Sequence, residues 1–275
     1  MTTTALLLAA HLAVLAAFGE PPTVKREAGS LVVTNGAYAA TVSAATGALT
    51  RLTTAAFGEK TFVAGSMTYS DIGLLAAGSH GYFGTNAVTD ATVEVAAESA
   101  RVVISAEGPL ALQDGKQPPG AKWRCRFRYT FDQTPLIHVL AGVQTDTARP
   151  AAPGFFATTL NVVGVNEWFA DTEDGMRWVD LGPENGRCFA AHNRPLRGDR
   201  RRLGLLNHDT GAVVLIDHLE PQPAGTLEDV LFHSSGTGAV TLFLNWVQGA
   251  SQTAFAPSQW YDLSFDLSLS GEVPK

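Results

Sequence analysis

The stretch Trp123-Arg124-Cys125-Arg126-Phe127-Arg128-Tyr129-Thr130-Phe131 decides the fold class. Its odd positions are aromatic or Cys and its even positions are Arg or Thr, a period of two. Successive side chains of a β-strand point to opposite faces, so this is a strand with one face in a core and the other carrying a cationic ladder of Arg124, Arg126 and Arg128. Near the C-terminus the pattern returns: Tyr261, Leu263, Phe265, Leu267 and Leu269 alternate with Asp262, Ser264, Asp266 and Ser268. Trp260 falls on the polar side of that strand, beside Asp262.

Outward from these two strands, period-two runs recur between Gly, Asn, Asp and Pro punctuation. They cover 92–106, 135–143, 158–165, 203–208, 212–217, 228–234, 239–247 and 259–269. An opening meander runs Leu31–Thr34, Ala37–Ser43 and Ala48–Thr53, with Asn35-Gly36 supplying the positive φ angles of a tight hairpin and Ala45-Thr46-Gly47 the second turn. No segment after residue 30 holds a 3.6-residue apolar stripe. Roughly ten to fourteen strands without a linker predict an all-β chain, one large antiparallel two-sheet supersandwich over residues 20–275.

Composition narrows the function. The 275-residue chain has a net charge of −7 and pI near 5.5, which argues against nucleic acid as a partner. Of its 19 basic residues 14 are Arg, and eight of these fall in two places, 124–128 and 194–202. Arg grips carboxylates and sulfates through a planar fork, so the clustering points to an anionic partner. Ala5–Phe18 is apolar apart from His11, too short for the ~20 residues of a spanning helix. Residues 1–19 read as an export signal, which predicts a secreted or periplasmic protein without a membrane span; a buried N-terminal helix is the alternative. Cys125 and Cys188 have no metal-ligand spacing, and their pairing is open. No P-loop, GxGxxG unit, HExxH or serine elbow is present, so neither cofactor nor metal is predicted.

The stretches LVVTNGAYAATVSAATGALTRL (31–52), WRCRFRYTFDQTPLIHVLAGVQTD (123–146) and FAPSQWYDLSFDLSLSG (255–271) resemble galactose-mutarotase-like supersandwich domains. Such domains occur in polysaccharide lyases, in exo-acting rhamnogalacturonan-lyase-like proteins and in the C-terminal parts of some mannosidases. The resemblance implies the supersandwich fold and a link to carbohydrate. The NHSYFNL segment of true aldose mutarotases has no counterpart here, so mutarotase activity is not carried over.

The residues themselves suggest where chemistry would sit. Five arginines lie within 194–202, flanked by His192-Asn193 and by Asn207-His208. β-Elimination at a uronic acid needs a cation on the carboxylate, and a base about 3 Å from the C5 proton. His192 or His208 can be the base, Asn193 with Arg194 or Arg197 the neutralising group, and Tyr82 the proton donor; a solvated basic loop is the competing reading. Arg124, Arg126 and Arg128 can line a sheet face that binds a polyanionic chain, and Trp260 can stack on a sugar ring. With 132–135 as a four-residue turn, Tyr129 opposes His138, which places His138 in the core. Asp171, Glu173 and Asp174 read as a polar turn rather than a calcium loop, and Asp229 shares a strand face with His233. The sequence thus predicts a secreted protein acting on an anionic, uronic-acid-containing polysaccharide, by lyase-type elimination if catalytic. The alternative is a non-catalytic carbohydrate-binding or accessory module.

Overall fold

The structure is a computed structural model. It describes residues 20–54, 61–67, 90–110, 123–146, 155–163, 165–172, 174–180, 188–190, 202–208, 211–223, 229–234, 239–248 and 256–270. Every regular element among them is a β-strand, and the strands form two antiparallel sheets. The first is ordered β1 (Thr23–Glu27), β2 (Ser30–Thr34), β3 (Tyr38–Ser43), β4 (Leu49–Thr54), β5 (Thr61–Met67), β10 (Phe155–Val163), β17 (Ala239–Gln248), β16 (Asp229–Ser234) and β13 (Cys188–Ala190). The second is ordered β12 (Gly175–Asp180), β11 (Glu167–Thr172), β14 (Leu203–Asn207), β15 (Ala212–Gln222), β18 (Trp260–Ser270), β9 (Leu136–Thr145), β8 (Trp123–Phe131), β7 (Arg101–Leu110) and β6 (Thr92–Glu98). The expected two-sheet antiparallel sandwich is therefore the observed fold. β5, β10, β13, β16 and β17 enter through their backbone pairing.

The alternation read in the sequence builds the core. In β8, Cys125, Phe127, Tyr129 and Phe131 are buried, and in β18 Tyr261, Leu263, Phe265 and Leu267 are buried beside them. They meet Leu31, Val33, Tyr38 and Leu52 of the first sheet in one cluster. The Tyr38 and Phe131 rings pack 6.2 Å apart across the sandwich. Each such buried side chain contributes about 1.5–3 kcal/mol, so the fold is held by the inner faces and the outer faces are free to carry other chemistry.

Two turns join the sheets. Gly36 adopts φ 80° in the β2–β3 turn, but Asn35 does not share the positive φ of a two-residue hairpin. Asn35 is instead a buried staple. Its Oδ1 accepts from Ala37 N at 3.0 Å and Tyr38 N at 3.2 Å, while its Nδ2 donates to the carbonyls of Asp132 at 3.1 Å and Thr134 at 2.7 Å. Gly47, at φ 71°, packs so closely on β7 that an added Cβ would stand 2.0 Å from the Ala106 Cβ.

The 92–106 run splits into β6 and β7 at Ser99-Ala100, a break that the apolar pattern hid. β11 and β12 form a hairpin whose last pair is Thr172 with Gly175, closed by the Thr172 hydroxyl donating to Gly175 O at 2.8 Å; Asp171 is a strand residue of β11, and Glu173 lies outside the described residues. Cys125 is a free, buried thiol on the inner face of β8. Burial first, then the nearby Glu107 carboxylate, pushes it up to about 12. Burial likewise raises the Tyr38 and Tyr129 hydroxyls. Among the described residues no helix is long and apolar enough to cross a membrane.

Candidate functional site

The outer face of the second sheet gathers the polar chemistry of the described residues. Its rows follow from register: Trp260, Gln144 and Arg124 stand side by side, then Asp262, Gly142 and Arg126, then Ser264, Leu140 and Arg128, then Asp266, His138 and Thr130. The sequence-predicted ladder and Trp260 are thus brought onto one surface. Arg124, Arg126 and Arg128 line an open groove of about 530 Å³ together with Glu94, Ser105 and Glu107.

The ladder is not uniform. Arg126 forms a fork with Asp262, Nε to Oδ1 at 2.9 Å and Nη2 to Oδ2 at 2.5 Å. The fork passes over Gly142, where an added Cβ would lie 2.0 Å from Asp262 Oδ1. The same guanidinium sits 4.3 Å from the centre of the Trp260 ring, a cation–π contact. Arg124 pairs with Glu107 at 2.5 Å in an exposed position. Among the described residues Arg128 forms no ion pair and points outward, exposed. It is the ladder arginine left for an anion.

Below these rows lies a cluster the sequence reading did not assemble. A bulge interrupts the β15–β18 register between Asp217 and Glu220, and His218 within it adopts φ 52°. A side chain other than Gly at positive φ is uncommon, and a bulge re-aims a side chain out of the ladder. His218 Nδ1 meets Asp266 Oδ2 at 3.0 Å, while the other carboxylate oxygen contacts His138 Nδ1. One carboxylate, mostly buried, therefore holds two imidazoles. His138 Nε2 lies 3.7 Å from Asp132 Oδ2. Asp217 accepts from the His218 backbone N at 2.9 Å and pairs with Arg202 at 2.8 Å, which fixes the bulge from below. The His218 Nε2 forms no hydrogen bond or ion pair with a described residue. An imidazole oriented through one nitrogen by a carboxylate, with the other nitrogen open, is the arrangement of a general base or acid.

His138 corrects an expectation. The β8–β9 register pairs Phe131 with Ile137 and Thr130 with His138, one residue away from the pairing read from the turn. A one-residue slip moves a side chain to the opposite face, so His138 is exposed on the outer face and not in the core. The turn holds one residue more than that reading, 132–136 between the paired Phe131 and Ile137, and within it Asp132 Oδ1 accepts from Thr134 N at 2.8 Å and from the Thr134 hydroxyl at 2.5 Å.

His208 does not join this cluster. It lies at the end of β14, where its Nε2 pairs with Glu167 at 2.8 Å and its backbone N donates to Asn166 Oδ1 at 3.0 Å. β14 is four strand spacings from β8, about 19 Å, so His208 and the arginine ladder do not share a site. Trp168 is fully buried, whereas Trp178 is 37% exposed and packs on Phe169 at 4.9 Å. Tyr82, His192, Asn193, Arg194 and Arg197 lie outside the described residues, as do the side chains of Asp229, His233 and Cys188. Among the described residues no group of three or more His, Cys, Asp or Glu could hold a metal.

This arrangement sits on a fold of the galactose-mutarotase-like β-sandwich class. The particular solved structures it is similar to include a galactose 1-epimerase from Lactobacillus acidophilus NCFM, at TM-score 0.57 and 8% identity, covering 92% of this chain and 99% of that one. A putative mutarotase (YeaD) from Salmonella typhimurium gives TM-score 0.51 and 8% identity, covering 95% and 99%. A TPR-domain containing protein from Parabacteroides distasonis gives TM-score 0.56 and 8% identity, covering 90% of this chain but 48% of that one, so the chain spans about half of its length. No family model and no curated protein matches the sequence.

Proposed function

We propose that the chain is an exported protein that acts on a carbohydrate carrying a uronic acid, at the outer face of the second sheet. The observation that carries this reading is the His138–Asp266–His218 cluster beside Arg128, which has no ion pair among the described residues, on a fold shared with aldose epimerase-like proteins. Arg128 and His218 stand on the same outer face, their strands three spacings apart, about 14 Å, a span that one sugar ring and the reach of the two side chains can bridge. Arg128 would take the carboxylate and make the C5 proton acidic. His218 Nε2 would accept that proton, the C4–C5 double bond would form, and the C4–O bond would break. The leaving oxygen takes a proton, for which Tyr82 is the candidate donor. Export rests on the apolar stretch 5–18 and is checked by the N-terminus of protein recovered outside the cytoplasm.

The test is incubation of the purified protein with a panel of uronic-acid polysaccharides, following the ultraviolet absorbance of the unsaturated product. Turnover should fall at least about 100-fold in His218→Ala, the usual worth of a positioned base. Arg128→Gln should raise KM and lower kcat. Absence of product from every uronate, with glycan binding retained, would instead assign a non-catalytic binding module.

One observation favours a second reading. The fold match to the Lactobacillus galactose 1-epimerase covers nearly all of both chains, and His218 with Asp266 can equally serve proton transfer at the anomeric centre of a free aldose. NMR of anomer exchange distinguishes the two: exchange catalysed on neutral aldoses, with no elimination, moves the assignment there.

A further inference from the structure

The polar rows extend well beyond the histidine cluster. Asp266 and Trp260 lie on the same face of the continuous strand β18, and six residues of strand span about 20 Å. That length exceeds one pyranose ring and suits a tri- or tetrasaccharide. Between the two ends lie Arg128 and the Arg126–Asp262 fork, a line of polar groups with no bulge in the β9–β18 pairing.

The far end is a built platform. Trp260 is half-buried, with one ring contact taken by Arg126. Arg126 cannot swing away, because Asp262 holds it at two nitrogens over the space left by Gly142. The turn before Trp260 is pinned as well. Gln144 Nε2 donates to Ser258 O at 2.7 Å, Ala256 N donates to the Tyr261 hydroxyl at 2.9 Å, and Ser258 sits at φ 63°. An indole stacked on a held guanidinium and mounted on a pinned turn offers its area at little entropic cost, and a sugar's C–H face stacks on such a ring.

We infer that this face binds an oligosaccharide and not a monosaccharide, and that Trp260, mounted on the Arg126–Asp262 fork, is a specificity-determining platform for a sugar distal to the one held between Arg128 and His218. The inference rests on the proposed uronate reading and adds to it a chain length and a direction along β18. Arg126 then serves as a positioning residue for the indole, not as a ligand of the anion.

Calorimetric titration with mono-, di-, tri- and tetragalacturonate tests it. In the wild-type chain affinity should climb from the monomer to the tetramer. In Trp260→Ala the ratio of tetra- to monosaccharide affinity should fall about tenfold, the worth of one aromatic contact. Trp260→Phe, which keeps a ring, should recover part of that ratio and guards against a folding defect in the alanine variant. A tetramer that binds no tighter than the monomer overturns the inference, as does a ratio unchanged in Trp260→Ala. If no uronide of any length binds, both the inference and the uronate reading fall. If the length dependence and its Trp260 sensitivity are present but no unsaturated product forms, the inference stands and the elimination does not.

Discussion

The outer faces of the two sheets are built from the same alternation yet carry different chemistry. Over β1–β4 the first sheet presents a wide trough of about 1080 Å³, about twice the volume of the arginine groove, whose polar lining is mainly Ser30, Thr34, Thr41, Thr50 and Thr53, with Glu27 and Arg51 as its charged members. Three of those five hydroxyls are spent locally: Thr50 donates to Thr41 O at 3.2 Å, Thr53 to Ala39 O at 3.4 Å, and Thr34 and Thr23 bond to each other at 3.0 Å. Threonine there serves strand propensity. The second sheet's outer face places Arg, Asp and His at the same kind of positions, with Arg126, Asp262 and Asp266 half-buried and interlocked with their partners and a backbone bulge to aim His218. Hollow size therefore does not locate the site. Groups that cost stability unless paired are the better marker, because nothing about folding a sheet requires them.

The largest test of that contrast is Asp262→Ala. Removing the carboxylate strands Arg126, only about one-third exposed, without either of its fork bonds. Breaking one side of such a pair leaves a poorly solvated charge, and a loss of about 3 kcal/mol is expected in urea denaturation. The double variant Asp262→Ala with Arg126→Met should recover most of it. A loss below about 1 kcal/mol for the single variant would mean that the fork is an ordinary surface pair and that the two outer faces differ less than the geometry implies.

A second test asks whether the charged face is felt in the core behind it. Cys125 lies between Arg124 and Arg126 in sequence but faces inward, and its thiol is raised from 9.0 to about 12 chiefly by burial. A folded-state value above the unfolded one means that stability is fully present below pH 9 and is lost as pH rises towards 12. Each pH unit in that window costs about 1.4 kcal/mol. Melting curves of wild type and Cys125→Ala should diverge in slope above pH 9, the variant losing less. Parallel slopes would show that neighbouring arginines offset the burial.

Much of this architecture was legible in the residues. β8 is read at its full length because its odd and even positions never break period, and β18 likewise. β11 does not read as a strand, because Trp168-Phe169-Ala170 and their acidic neighbours do not alternate, both faces being covered, and β12 pairs at the sheet edge beside it. The site was only half legible. The ladder and Trp260 follow from alternation alone, but His138 depended on one residue of turn length. His218 depended on a bulge. The one trace of that bulge is the spacing of buried positions in β15, where Ile216 is followed by Leu219 rather than by residue 218. Asp266 was seen as a polar-face residue, while its two histidine partners come from strands 128 and 48 residues away in the chain.

The smallest expected effect is the most direct comparison of the two faces. Arg124 and Glu107 are 56% and 42% exposed, so solvent screens their pair despite its short separation. Exposed pairs of this kind contribute about 0.2–1 kcal/mol at most, and less in salt. Arg124→Ala should therefore change stability by no more than about 0.5 kcal/mol, the same as Thr53→Ala on the threonine trough. A double-mutant cycle with Glu107→Ala measures the coupling itself. If that coupling reaches about 2 kcal/mol, Arg124 belongs with Arg126 as a structural element of the sheet. If it is near zero, Arg124 can exchange Glu107 for a sugar carboxylate at little cost, and the groove has two arginines for an anion instead of one.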